Sequence, residues 1–208
     1  MRKLILFGLN LFLFSSFAGA QTADEWMDKL VKTYQRAQTY YLKFEMTESG
    51  NSKSHTGELF ASGDKYNVEI LEIRQMYDGK KLYTVSKEDR EVTVSQPAPD
   101  SNDFMSPTKI ISAYRSNYKA TLDKTETVKS QKIQYLKMTP KSESEVKYAI
   151  IGIQTKDNTL YNYKEFYSDG SFRSFTVNEF LENLIIPKAL FKFDQTKYEK
   201  DGYIVTPI

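Results

Sequence analysis

Ile73-Arg74-Gln75-Met76-Tyr77-Asp78-Gly79-Lys80-Lys81-Leu82-Tyr83-Thr84-Val85 is the stretch that decides the architecture. Two short segments rich in β-branched and aromatic residues flank Asp78-Gly79, a dipeptide that readily adopts the left-handed backbone of a tight hairpin. A connection this short joins antiparallel neighbours and leaves no room for a crossover helix. The same pattern extends in both directions. Upstream, Leu42, Phe44 and Met46 alternate with Tyr41, Lys43 and Glu45, and Ser49-Gly50-Asn51 turns the chain into His55 to Ala61. Ser62-Gly63-Asp64 then leads into a strand carrying Tyr66, Val68 and Ile70. Downstream, Lys81 to Val85 pairs with Glu91 to Ser95 across the polar segment Ser86 to Arg90. Lys132 to Thr139, Val146 to Thr155, Leu160 to Tyr167 and Phe172 to Leu181 also read as extended, with Ser168-Asp169-Gly170-Ser171 a hairpin signal between the last two. Phe191-Lys192-Phe193 and Tyr203-Ile204-Val205 are expected to be short terminal strands.

Two helical segments accompany these strands. Thr22-Ala23-Asp24-Glu25 has the form of a capping box, and Trp26, Leu30, Tyr34 and Ala37 follow at helical spacing, with Met27 and Val31 widening the stripe. Ser106-Pro107 supplies an N-cap and a first-turn proline for a lid helix to about Tyr118, whose apolar face is Ile110, Ile111 and Tyr114. The inventory predicts an α+β domain, mainly antiparallel β: an incomplete, half-open barrel of about ten or eleven strands covered by amphipathic helices. A sheet this wide buries one face only by curling. The expected inner face is Leu42, Phe44, Met46, Leu59, Tyr66, Val68, Ile70, Tyr148, Ile150, Phe175 and Val177. A strand facing a ligand and a strand facing its own core have the same period, so both a cavity and a closed core stay open at this point.

Composition narrows the classes. Arg2 and Lys3, the apolar run Leu4 to Phe14 and Ala18-Gly19-Ala20 read as a secretory signal cleaved after Ala20, leaving residues 21–208 as one domain. The run is interrupted by Asn10 and is short for a spanning helix, and the chain has no cysteine to carry a lipid anchor at the cleavage point. Absence of cysteine also excludes disulfides, thiol catalysis and cysteine-ligated metal. The chain has 29 Lys and Arg against 27 Asp and Glu, and without Arg2 and Lys3 the balance is 27 against 27, so no nucleic-acid partner is expected. Fifteen Tyr and thirteen Phe favour strands and large apolar surfaces.

Candidates for chemistry are few. His55 is the single histidine and sits in an alternating strand, with no partner residues in the sequence to make a metal site or a nucleophile and base pair. Asp78 has the turn role that Asp-Gly between strands ordinarily has. No metal, cofactor or catalytic residue is expected.

The order of segments resembles the outer-membrane lipoprotein carrier (LolA-like) family. The residues that carry the likeness are Phe44, Gly57-Glu58-Leu59-Phe60, Tyr66-Asn67-Val68, the segment Gln75 to Tyr83 around Asp78-Gly79, Tyr167-Ser168-Asp169-Gly170, Asn183, Ile185 to Pro187, and Phe191-Lys192-Phe193-Asp194. The resemblance implies a half-barrel that holds acyl chains of lipoproteins, or another lipid cargo, between its concave face and the covering helices. It further implies a periplasmic monomer that shuttles cargo towards the outer membrane without doing chemistry on it. Its partners would be an inner-membrane ABC-type release complex and an outer-membrane acceptor in lineages that have one. The sequence departs from the family at Ser62-Gly63-Asp64-Lys65, where better-studied members carry a lid-latching arginine, so no latch role is carried over. Two alternatives stand beside this reading. One is a periplasmic lipid or lipoprotein sensor of the same architecture, which would normally have a second domain. The other is a secreted hydrolase, for which the expected nucleophile and base, or paired carboxylates, are missing.

Overall fold

Helix α1, Ala23–Arg36, begins where the capping box places it. The Glu25 amide donates to the Thr22 hydroxyl at 3.2 Å, and the Thr22 amide donates to the Glu25 carboxylate at 2.9 Å. In the computed structural model, which describes residues 21–97 and 116–207, the chain then runs through two antiparallel meanders. The first comprises β1 (Thr39–Glu48), β2 (His55–Ser62), β3 (Lys65–Ile70), β4 (Ile73–Tyr77), β5 (Leu82–Ser86) and β6 (Glu91–Ser95). The second comprises β7 (Tyr118–Val128), β8 (Gln131–Pro140), β9 (Val146–Gln154), β10 (Leu160–Tyr167) and β11 (Phe172–Glu182). A 3-10 turn, Lys188–Phe191, a short helix α2, Gln195–Lys200, and β12, Ile204–Pro207, complete it. The expected lid residues Ile110, Ile111 and Tyr114, and the leader segment 1–20, lie outside the described residues.

All twelve strands form one sheet in the order β12-β6-β5-β4-β3-β2-β1-β11-β10-β9-β8-β7. The antiparallel pair β1 and β11 joins the two meanders, and β12 lies parallel to β6. The sheet has two free edges and is therefore an open half-barrel, as the strand inventory predicts. Its curl follows from the core. Met27, Leu30 and Tyr34 of α1 belong to one contiguous buried cluster with Leu59 of β2, Leu82 of β5, Leu136 and Met138 of β8, and Ile151 of β9. Strands as far apart in the sheet as β5 and β8 can share one helix only if the sheet wraps around it. The ion pair of Arg36 with Glu182 is exposed and contributes little beside this packing.

Two elements differ from the sequence expectation. Strand β7, which begins at Tyr118, has no counterpart in the sequence reading because it is an edge strand exposed almost throughout, and its mostly polar residues from Lys119 to Thr127 hide its period. Phe191-Lys192-Phe193 is not a strand. Phe191 instead ends the 3-10 turn, buried on the convex face of the first meander, where the Asn67 amide donates to the Leu190 carbonyl at 2.7 Å. Phe193 stacks on Tyr83 at 4.5 Å, and Met76, Val85 and Val92 are buried on the same face. Strands β4 to β6 are thus covered on their convex side by residues 188–203. Ile73 follows Ile70 through a two-residue turn at Leu71-Glu72, in which Leu71 takes a φ of 55°.

Two stability measurements follow. Leu136 is fully buried and its register partner Leu122 is 46% exposed, so in urea unfolding Leu136→Ala is expected to lose about 3 kcal/mol and Leu122→Ala less than about 0.5 kcal/mol. Leu71 is 49% exposed and holds a left-handed backbone unsuited to Leu, so Leu71→Asn is expected to raise stability by about 0.5 kcal/mol; a loss would show that the Leu71 side chain packs in solution.

Candidate functional site

The concave face is built from alternate residues of neighbouring strands, and the register says which. Leu42 sits opposite Leu59 and Phe180, Phe44 opposite Gly57 and Val177, and Met46 opposite His55 and Phe175. Leu59 continues to Val68, Gly57 to Ile70 and Ala61 to Tyr66. Nine of the eleven residues expected on an inner face, all but Tyr148 and Ile150, therefore share one face of β3, β2, β1 and β11. They divide into two groups. Leu42, Leu59, Tyr66 and Val68 are buried in the cluster that holds α1. Phe44, Met46, Ile70, Phe175 and Val177 are only half-buried, and Phe44, Phe175 and Val177 pack against the border of that cluster. Together they form an apolar strip across β3, β2, β1 and β11 beside the helix.

Gly57 shapes the strip. A Cβ there would lie 2.5 Å from Cζ and 2.7 Å from Cε2 of Phe44, so only glycine lets that ring lie down on β2. The ring then meets Phe175 with centroids 6.0 Å apart. In the sequence Gly57 falls within a segment of resemblance but receives no such role; a glycine inside an otherwise regular strand was the available signal.

Beyond Phe175 the face becomes polar. Tyr163 is buried opposite Phe175, and Glu165 lies two residues on, opposite Arg173. The hydroxyls of Tyr163 and Tyr167 both donate to the Glu165 carboxylate, the second at 2.7 Å. Burial, and then the bond to Glu165, push the Tyr167 phenol up to about 12. The strip is thus an apolar surface bounded at one end by a carboxylate with both oxygens engaged. Tyr167 enters the sequence reading only as part of the segment Tyr167 to Gly170, and none of the three is given a site role there, because Tyr163, Glu165 and Tyr167 read as an ordinary alternating strand.

Tyr148 and Ile150 need correction. Ala149 and Ile151 of β9 are 0% and 1% exposed in the core cluster, which places Tyr148 and Ile150 on the convex face. Strand β9 is apolar on both sides, so its period says that its faces alternate but not which one is inner. His55 sits opposite Met46 near the hairpin end, with its Nε2 3.1 Å from the Asn51 amide nitrogen. The Asp78 carboxylate accepts from the backbone of Lys80 and Lys81, both at 2.8 Å, and so stabilises its own turn, where Gly79 has a φ of 99°.

No family model matches the chain, and no curated protein matches it in sequence. Solved structures do. An uncharacterized conserved protein from Thermus thermophilus superposes with a TM-score of 0.63 at 11% identity, over 89% of this chain and 99% of that one. A LolA superfamily protein from Nitrosomonas europaea has a TM-score of 0.40 at 9% identity, over 83% of this chain and 98% of that one. Lipoprotein LppX from Mycobacterium tuberculosis has a TM-score of 0.45 at 9% identity, over 78% and 96%. At these identities the likeness is one of fold alone, and it is carried by the first of these structures, whose TM-score exceeds 0.5.

The tyrosine pair at the end of the strip gives a pH signature. A phenol whose folded value lies above its unfolded value of about 10 contributes stability that is present below pH 10 and is lost as pH rises through the folded value. Ultraviolet titration of the folded protein is expected to show two tyrosines, Tyr41 and Tyr167, ionising near pH 12, one of which is lost in Tyr167→Phe. Identical titration curves would remove the Glu165 bond from the description.

Proposed function

We propose that this protein is an exported lipid carrier that holds the acyl chains of a lipoprotein, or of another lipid, on the concave strip beside α1 and delivers them without chemistry. The observation that carries the reading is the strip itself: Phe44, Met46, Ile70, Phe175 and Val177 are contiguous, apolar and only half-buried on the inner face of an open half-barrel. Apolar side chains on the inner face of a curved sheet are ordinarily sealed within a core, and here they lie where the helix stops covering them. The resemblance of the segments from Phe44 to Asp194 to the lipoprotein carriers supports the same reading.

The energetics are adequate. Burying a methylene contributes about 0.8 kcal/mol, so an acyl chain of about a dozen methylenes supplies on the order of 10 kcal/mol before the cost of opening the site is subtracted. Release then needs a competing apolar surface. In this reading, residues 1–20 are removed on export, residues 21–208 act as a single periplasmic domain and monomer, and an inner-membrane ABC-type complex loads the carrier. An outer-membrane acceptor, where present, receives the cargo.

A fluorescent apolar probe is expected to bind the mature protein at one saturable site and to be displaced by long-chain fatty acids. Val177→Glu is expected to weaken probe binding by at least about tenfold while leaving the thermal transition within a few degrees of the parent, because a half-buried position can keep its new charge hydrated. Absence of saturable binding, or unfolding of the variant, would show that the strip is part of a closed core.

A further inference from the structure

The convex face of the second meander carries residues that the carrier reading does not use. Tyr148 of β9 stacks on Phe166 of β10 with centroids 4.6 Å apart, and Phe172 of β11 follows, 6.5 Å from Phe166. Ile150 lies one step along β9, between Lys137 of β8 and Lys164 of β10. The Lys137 ammonium is 4.8 Å from the Tyr148 ring centre, and that of Lys164 is 4.9 Å from Phe166 and 3.8 Å from Phe172. Lys119, opposite Thr139 at the β7 edge, adds a third cation to this face. The outward positions of β8, β9 and β10, and of β11 from Phe172 to Thr176, hold no Asp or Glu, although acids equal bases across the mature chain. The outward acids lie around the patch: Glu126 of β7, opposite Ile133 and paired with Lys124 at 2.7 Å, Glu45 of β1, opposite Thr176, and Glu179 of β11, opposite Lys43. Among the described residues no helix packs on the patch, whereas the convex face of the first meander is covered by residues 188–203.

We infer that this aromatic and basic patch docks the protein on an anionic phospholipid surface. Phe and Tyr rings suit the headgroup boundary, and lysines with apolar stems lying along those rings can keep their ammonium groups among lipid phosphates. Charge complementarity favours an anionic surface, since the patch offers cations with no carboxylate among them. A nucleic acid is disfavoured because Tyr148 and Phe166 stack on each other and lysines lie over the rings, so few ring faces are left for bases. The inference goes beyond cargo binding, which it places on the opposite face of the sheet.

Cosedimentation with vesicles tests it. The mature protein is expected to bind phosphatidylcholine vesicles that contain phosphatidylglycerol, to bind pure phosphatidylcholine vesicles far less, and to dissociate as salt is raised. The double variant Lys137→Glu, Lys164→Glu is expected to lose at least about tenfold in vesicle affinity, and the milder Lys137→Gln, Lys164→Gln to lose part of it, with unchanged circular dichroism and unchanged binding of the apolar probe. Val177→Glu on the concave face is expected to bind vesicles like the parent, which separates docking from cargo binding. Equal binding to both vesicle types, no vesicle binding at all, or parent-like binding by both lysine variants would overturn the inference.

Discussion

Burial of one face of α1 is the constraint on which the rest of the structure depends. A fourteen-residue helix is marginal by itself in water, and its Met27, Leu30 and Tyr34 are withdrawn from solvent by a sheet drawn around them from both sides. The sheet meets the same need in reverse. Twelve strands with an apolar inner row cannot shelter that row while flat, and one helix gives the two meanders a common object to pack on. The helix is shorter than the sheet is wide, so it seals Leu42, Leu59, Tyr66 and Val68 and leaves Phe44, Met46, Ile70, Phe175 and Val177 half covered. Among the described residues, the candidate binding strip is therefore the part of the inner row that α1 leaves half covered.

The two convex halves are treated differently. On the first meander, Phe191 and the stacked rings of Tyr83, Phe193 and Tyr198 make a second apolar layer, so Met76, Val85 and Val92 are buried on the convex side of β4 to β6 as Leu82 is on the concave side. Beside that layer, burial would raise the Glu69 carboxyl, but its bonds to Lys87 and Arg74 together hold it below the usual range. The convex face of the second meander carries a group of rings and lysines on which, among the described residues, no helix packs. The free edges are managed as differently. Strand β12 lies along β6, while β7 has charged residues and a register shift between Leu122 and Thr125, both of which discourage further strand addition. With no cysteine in the chain, these packing arrangements carry its stability without disulfides.

Local chemistry made much of this legible. The capping box of Thr22 and Glu25, the Asp78-Gly79 turn and the hairpin between β10 and β11 depend on residues within a few positions of one another, and each forms where the sequence places it. The turn at Leu71-Glu72 lacked any glycine or asparagine signal, yet the hairpin was readable because apolar alternation resumes at Ile73. An edge strand such as β7 has no buried face to impose a period, so its existence was hidden. Sequence by itself determined that the chain is a curled antiparallel sheet with a capped amphipathic helix, because period and turn chemistry are local properties. Tertiary structure alone decided which side of β9 is inner, where Phe191 is buried, that β12 runs parallel to β6, and how much of the concave face α1 leaves open. Those outcomes depend on which distant surfaces meet, and a period of two states only that a strand has two faces.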